Sequence, residues 1–280
     1  MTRDDLTGAD VVIVGSRQRR PNLPSSGCPF CPGGAEAPEP YDVRWFVNRW
    51  PAMPDGRCEV VLYTPDHDAD LWSLGVDGVR RVVDLWADRT SALGGRDDVA
   101  YVLVFENRGP EVGATIAHPH GQIYAFDTVP PAARVELDGP ECALCASDRG
   151  HVVVEDDDWR AAVPAAATWP YELRLSPRSH VPDLPSLDPA SRGSLAAVLV
   201  SSLHRLDRLF EARMPYMLWV HQRPTDGGAW STAHLHVHVA PLLRAAGTPR
   251  YVAAGELGSG VFFNPVRPED AAEALRSAGF

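Results

Sequence analysis

The chain lacks a long hydrophobic run and has fewer basic than acidic residues. Its longest apolar stretch, residues 195–203, is far too short to span a bilayer and contains two serines. The 37 acidic residues outnumber the 26 basic ones, and the net charge is −11. This balance argues against nucleic acid or an anionic membrane as the main partner. Binding of an anionic small molecule would require basic side chains to be clustered at its site.

Cysteine is also scarce, and the N-terminal residues lack the apolar segment of a signal peptide. We therefore expect a cytoplasmic protein, in which disulfides are uncommon. Four of the five cysteines form two Cys-x-x-Cys pairs, at residues 28–31 and 142–145. Such pairs in this compartment favour metal ligation, although a single pair could equally be a redox site.

Residues 118–122 read His-Pro-His-Gly-Gln and form the most informative stretch. In an extended segment, His118, His120 and Gln122 lie on one face, because side chains alternate. A neutral imidazole is a competent nucleophile toward phosphorus, and the phosphoramidate it forms can pass the group onward. Pro119 fixes its own φ, and Gly121 permits close approach of a phosphate. Two structural histidines on a strand would show the same spacing, so other features must distinguish a nucleophilic histidine from a structural one.

The sequence contains one pattern twice. Each copy has a Cys-x-x-Cys pair, a tryptophan-bearing strand, an apolar run ending on His67 or His180, an amphipathic helix, a buried strand and a closing histidine motif. In the second copy, Asp188 and Pro189 have the residue types of a helix N-cap and first turn. We predict an α+β fold of two tandem halves, 1–127 and 141–280, each an antiparallel sheet with a long helix. A linker rich in Pro and Ala joins them.

Each half resembles the histidine-triad fold, and the doubled arrangement is similar to the galactose-1-phosphate uridylyltransferase family. The resemblance is carried by residues 106–109 (Glu-Asn-Arg-Gly), 118–122, 169–172 and 234–238, and covers nearly the whole chain. It implies transfer of uridine monophosphate (UMP) from UDP-glucose to galactose 1-phosphate, with ping-pong kinetics. It also implies a homodimer whose tail residues complete the partner's site.

The resemblance implies a role for each matching residue. His120 is the nucleophile, while Gln122, Gly113 and Thr115 contact the transferred phosphate. Asn107 orients the site, Asn48 meets the uridine, Arg17 and Arg20 approach the phosphates, and Arg250 and Glu256 match residues at the sugar end. A solvated loop is the alternative for the two N-terminal arginines. Phe262 stands where the family has a glutamine near the sugar, which leaves the hexose preference open.

Three metal sites are predicted. Cys28, Cys31, His67 and His118 suit tetrahedral zinc, and the resemblance implies the same ligands. The repeat predicts a second zinc quartet of Cys142, Cys145, His180 and His234. The resemblance implies a further iron or zinc site formed by Glu136, His221, His236 and His238. The short spacing between Glu136 and Cys142 argues against that third site, although the sets share no residue.

Three functions follow from these patterns. The first is uridylyl transfer from UDP-glucose to a hexose 1-phosphate. The second keeps the histidine chemistry but phosphorolyses or hydrolyses another nucleotide sugar or a dinucleotide. The third is a zinc-stabilised nucleotide-binding or scaffold protein without turnover. The presence of His120, Gln122 and Asn107 argues against the third function.

Overall fold

The computed structural model describes residues 2–19, 27–146 and 150–279. Arg20, one of the predicted phosphate ligands, lies outside the described residues. The helices are α1 (Gly75–Gly94), α2 (Pro131–Leu137), α3 (Ala143–Ala146), α4 (Pro189–Arg208), α5 (Ala254–Ser259) and α6 (Pro268–Ser277). The strands are β1 (Thr2–Arg3), β2 (Asp10–Val11), β3 (Arg44–Val47), β4 (Cys58–Leu62), β5 (Tyr101–Arg108), β6 (His120–Phe126), β7 (His151–Glu155), β8 (Trp159–Val163), β9 (Leu173–Pro177), β10 (Tyr216–His221), β11 (His236–Pro241), β12 (Leu243–Ala245) and β13 (Thr248–Pro249).

Nine of these strands form one antiparallel sheet in the order β3-β4-β6-β5-β10-β11-β9-β8-β7. The first half contributes the first four strands and the second half the other five. The α+β class with two antiparallel, helix-bearing halves is therefore confirmed. The two half-sheets join edge to edge where β5 pairs with β10, so a single sheet runs through the molecule.

Helices α1 and α4 pack beside each other against one face of the sheet. Their buried residues recur every three or four positions, as the sequence predicted: Val79, Val82, Val83, Trp86 and Leu93 in α1, and Leu195, Val198, Leu199, Leu203 and Leu206 in α4. The predicted N-cap is confirmed, since the Asp188 carboxylate accepts from the backbone N–H of Ser191 at 2.8 Å. A further short helix, α6, lies near the C-terminal end of the described residues.

The predicted linker contains helix α2, which begins after Pro130 and has Pro131 in its first turn. Its buried face carries Ala133 and Leu137, and Glu136 projects from it toward β10 and β11. Within the described ranges, no helix has both the length and the apolar character needed to cross a membrane.

Candidate functional site

His120 is the first residue of β6 and lies on the sheet face opposite to α1. Its Nδ1 is 2.7 Å from the carbonyl oxygen of His118. Because a carbonyl can only accept, Nδ1 must carry the proton, and the lone pair of the neutral ring is on Nε2. The backbone therefore fixes the tautomer that a nucleophilic imidazole needs.

Polar side chains from three segments meet on the same face. The Asn48 side-chain amide donates to Oε1 of Gln122 at 3.4 Å, and Gln122 follows His120 by two residues. Two residues further, the Tyr124 hydroxyl accepts from a guanidinium nitrogen of Arg17 at 3.4 Å. The structure thus places Asn48 against Gln122 and Arg17 against Tyr124, on the strand that begins at His120.

The loop between β5 and β6 depends on two glycines. Gly109 has φ +101° and Gly113 has φ +88°, and a side chain at either position would strain the backbone. The loop borders a pocket of about 390 Å³ that Asn107, Thr115 and His120 also line. A small phosphate-bearing group can therefore reach the histidine, the hydroxyl and the carboxamide from one pocket.

Glu106 also lines this pocket, although sequence analysis gave it no separate role. It is 5% exposed, and its Oε1 accepts from the Tyr216 hydroxyl at 3.0 Å. Burial raises the pKa of Glu106 to about 7, although the Tyr216 hydrogen bond and the charge of Arg108 act in the opposite direction. A carboxyl with this pKa is partly neutral near neutral pH.

We expect Glu106→Gln to change how stability depends on pH. The raised pKa means that the fold favours the protonated carboxyl, so this stabilisation is complete below about pH 4.5 and is lost as pH rises through about 7. The amide keeps an acceptor for Tyr216 but does not titrate. Between about pH 5 and 9, wild type should therefore lose on the order of 3 kcal/mol relative to the variant. Denaturant melts of both proteins in the same buffers measure this, and a constant difference across the range would contradict it.

The first predicted metal quartet is assembled. Cys31 Sγ lies 3.5 Å from His67 Nδ1 and 3.6 Å from His118 Nδ1. Tetrahedral zinc with ordinary bond lengths places sulfur and nitrogen ligands about 3.5 Å apart. His118 is fully buried, and its Nε2 donates to the Thr64 carbonyl at 2.7 Å, which directs Nδ1 toward the cysteines. Burial lowers the pKa of His118, which keeps the ring neutral as a metal ligand.

The second quartet has the same geometry. Cys142 Sγ is 3.3 Å from His234 Nδ1, and Cys145 Sγ is 3.3 Å from His180 Nδ1. His234 Nε2 donates to the Pro177 carbonyl at 3.2 Å, the counterpart of the His118 bond to Thr64. Burial lowers the pKa of His234 to about 4. Both quartets therefore have the donor set and spacing of a tetrahedral metal site.

The third cluster also forms, because α2 delivers Glu136 in spite of the short linker. Glu136 Oε2 lies 2.8 Å from His221 Nδ1 and 3.3 Å from His236 Nε2, and Oε1 lies 3.8 Å from His238 Nε2. Both ring nitrogens of His238 are buried without a hydrogen-bond partner in the described part of the chain. Buried polar atoms of this kind fit a missing ligand such as a metal ion. In each of the three sets the ligand atoms lie within 4.8 Å of one another.

Arg250 and Glu256 form a buried ion pair with each other and do not line the pocket of His120. Glu256 also accepts from the backbone N–H groups of Ala253 at 2.9 Å and Phe263 at 3.2 Å. The Arg250 guanidinium lies over the Trp169 ring at 4.5 Å. Both carboxylate oxygens are thus engaged inside this chain, and their predicted role at the sugar stays a prediction.

Strand register shows a correspondence that the sequence analysis missed. The third cluster lies in the second half at the position that corresponds to the His120 site in the first half. His236 corresponds to His120. In both halves the histidine Nδ1 is 2.7 Å from the carbonyl of the histidine two residues earlier. The signal was present in the aligned closing motifs of the repeat. Across the adjacent strands of the first half, Phe105 pairs with Gln122. In the second half, Trp219 pairs with His238 and His221 pairs with His236.

Comparison with known proteins agrees with this geometry. The family model for the N-terminal domain of galactose-1-phosphate uridyl transferase matches residues 48–130, and that for the C-terminal domain matches residues 136–277. The chain belongs to the galactose-1-phosphate uridylyltransferase family. The galactose-1-phosphate uridylyltransferase of Streptomyces lividans is 38% identical, over 98% of this chain and 85% of that protein. The Thermotoga maritima enzyme of the same name is 34% identical, over 97% of this chain and 96% of that protein.

A relative with another named activity has a similar structure. The crystal structure of an ADP-glucose phosphorylase from Arabidopsis thaliana with bound ADP-glucose superposes with a TM-score of 0.82 and 25% identity, covering 95% of this chain and 94% of that one. The fold is therefore shared with a protein that has another named activity, and it does not by itself decide between a uridylyltransferase and a phosphorylase.

Proposed function

We propose that this protein transfers UMP from UDP-glucose to galactose 1-phosphate through a uridylyl-histidine intermediate on His120. The observation that carries the proposal is the hydrogen bond from His120 Nδ1–H to the His118 carbonyl, which leaves the lone pair on Nε2. This bond lies in the motif that marks the family. Two relatives that are 34% and 38% identical carry the corresponding name.

In the first half-reaction, His120 Nε2 attacks the α-phosphorus of UDP-glucose, and glucose 1-phosphate leaves with the electron pair of the broken P–O bond. In the second, a phosphate oxygen of galactose 1-phosphate attacks the same phosphorus and the P–N bond breaks, which restores the imidazole. We assign Gln122, Gly113 and Thr115 to the transferred phosphate, Asn107 to orientation near the nucleophile, and Asn48 to the uridine. Arg17 supplies positive charge on the same face.

The sugar end supports a second candidate, phosphorolysis of another nucleotide sugar. Phe262 stands where a hydrogen-bonding amide was expected, and Glu256 is engaged by Arg250. The similar fold of an ADP-glucose phosphorylase agrees with such an activity. We keep uridylyl transfer first, because the curated relatives with higher identity have that name.

Initial-rate kinetics with a substrate panel decide between the two. Galactose 1-phosphate should be among the best acceptors with UDP-glucose, and double-reciprocal plots should give the parallel lines of a ping-pong mechanism. The control is the same panel with ADP-glucose as donor and inorganic phosphate as acceptor. Faster phosphorolysis of ADP-glucose than uridylyl transfer would replace the first proposal by the second.

We further propose zinc at the two Cys₂His₂ quartets and iron or zinc at the cluster of Glu136 with three histidines. Zinc there would hold the Cys-x-x-Cys loops against the strands that carry His118 and His234. In the first half this loop also places the Phe30 ring 5.0 Å from the ring of His120. Zinc at the first quartet would therefore stabilise the structure directly beside the nucleophile.

We expect three metal ions per chain in protein purified without chelator. Cys145→Ser should remove one equivalent of zinc, and Glu136→Ala should remove one equivalent from the third cluster, because each change deletes one of four ligands. Elemental analysis of metal per chain measures both. A wild-type content of one ion per chain would contradict the second and third sites. Loss of more than one equivalent of metal in either variant would contradict the proposal that each site binds its ion independently of the others.

The proposal places the protein in the cytoplasm as a homodimer, without nucleic-acid or membrane partners. The dimer is supported by exposed apolar side chains in the C-terminal segment. Leu257, Val261 and Phe263 are 78%, 55% and 65% exposed in a single chain. Sedimentation equilibrium would give the oligomeric state directly.

A further inference from the structure

The residues on both sides of Asn107 are bound by the second half of the chain. Glu106 and Arg108 belong to the Glu-Asn-Arg-Gly motif, but the proposed chemistry uses neither of them. Strand β5 is the strand of the first half that joins the second half, since Met217 of β10 pairs directly with Asn107. On its other side, Phe105 pairs with Gln122, which places Asn107 beside His120 at the end of that ladder.

Arg108 is held by a carboxylate on α4, about a hundred residues away in sequence. Its two terminal nitrogens donate to the two oxygens of Asp207 at 2.7 and 2.8 Å, a bidentate geometry. Asp70 forms a second ion pair with the Arg108 guanidinium at 2.9 Å. Asp207 is itself fixed by Trp72 Nε1 at 2.7 Å and by the Met214 N–H at 2.9 Å. The side chains of Arg108 and Asp207 are 10% and 12% exposed, so solvent screens the pair little.

Glu106 makes the corresponding contact on the other side of Asn107. Its carboxyl accepts from the Tyr216 hydroxyl, and Tyr216 is the first residue of β10. Because the Tyr216 ring is also 5.4 Å from the Arg108 guanidinium, the two contacts converge on one side chain of the second half. The backbone of Asn107 is therefore anchored immediately before and after its own side chain.

We propose that Glu106 and Arg108 are positioning residues, through which Tyr216 and Asp207 of the second half hold Asn107 in register beside His120. The inference rests on the proposed transfer chemistry, in which Asn107 orients the reacting phosphate. A displacement of about 1 Å at such a group can cost about 100-fold in rate. Preorganisation of a short amide side chain requires a rigid backbone, which the two anchors supply.

A double-mutant cycle tests the inference. Arg108→Lys keeps the charge but loses the bidentate contact, and kcat should fall about 10- to 100-fold. In the Asn107→Ala background the same change should cost less than about 3-fold, because the group that it positions is already absent. Equal losses in both backgrounds would mean that Arg108 acts through general stability, and would overturn the proposal.

Arg89→Lys is the matched control. Arg89 forms a bidentate pair with Glu59 at 2.8 and 2.9 Å, and these side chains are 12% and 3% exposed. The pair lies between α1 and β4 and does not contact Asn107. This variant should lose stability as Arg108→Lys does but keep kcat within about 2-fold. A loss of kcat as large as that of Arg108→Lys would also overturn the proposal.

A second measurement separates this inference from the proposed function. The ¹⁵N side-chain amide signal of Asn107, assigned by its loss in Asn107→Ala, should shift in Arg108→Lys and remain in place in Arg89→Lys. An unchanged signal in Arg108→Lys overturns the positioning role whether or not the protein turns over. If wild type transfers no nucleotide from any donor, the proposed function fails, while this spectrum still decides the positioning role.

Discussion

Replacement of His120 by alanine should abolish nucleotidyl transfer, with kcat lower by more than about 10⁴-fold. Without the imidazole, no group can form the P–N bond, so the covalent intermediate of the transfer cannot form. The fold should persist, since His120 lies on the open face of the sheet and is partly exposed. Turnover assays together with circular dichroism measure both properties.

His151→Ala is a suitable control for this experiment. His151 lies on β7 at the edge strand of the sheet, 3.6 Å from Glu269, and is also partly exposed. Its loss should leave kcat within about 2-fold, because it touches no candidate site residue. Retention of a covalent nucleotide by His120→Ala would assign the nucleophile to another side chain.

Cys31→Ser should remove one metal equivalent, lower the unfolding midpoint and reduce transfer by at least about 10-fold. The link to activity runs through His118. Its Nδ1 faces Cys31 at 3.6 Å, and its carbonyl oxygen holds His120 Nδ1 at 2.7 Å. Loss of the metal would release His118 and, with it, the orientation of the nucleophile.

The matched control is Cys58→Ala, which removes another cysteine of the first half. Cys58 is fully buried and its sulfur accepts from the Met53 N–H at 3.3 Å, but it belongs to no metal set in the described residues. Its loss should leave the metal content unchanged. Full activity of Cys31→Ser after the metal is lost would contradict the structural coupling between the first quartet and His120.

The sequence predicted the two long helices and the family because both depend on local signals. Helical spacing located α1 and α4, and the repeated Cys-x-x-Cys and histidine motifs paired the ligands of two metal quartets. Those ligand sets could be predicted because the cysteine pairs and the histidines recur in the same order in both halves. The individual roles of the site residues stay predictions.

Long-range partners could not be predicted in this way. The join of β5 to β10, and the contacts of Arg108 with Asp207 and Glu106 with Tyr216, link residues about a hundred positions apart. The spacing argues against Glu136 at the third cluster, because it does not show that the linker folds into α2 and carries Glu136 to His221.

The most direct test of the account is the intact mass of the protein after mixing with UDP-glucose, followed by peptide mapping. We predict a single uridylyl adduct per chain, located on His120, that disappears when galactose 1-phosphate is added and UDP-galactose forms. A protein that converts UDP-glucose and galactose 1-phosphate without any adduct, or with the adduct on another residue, would contradict the central claim.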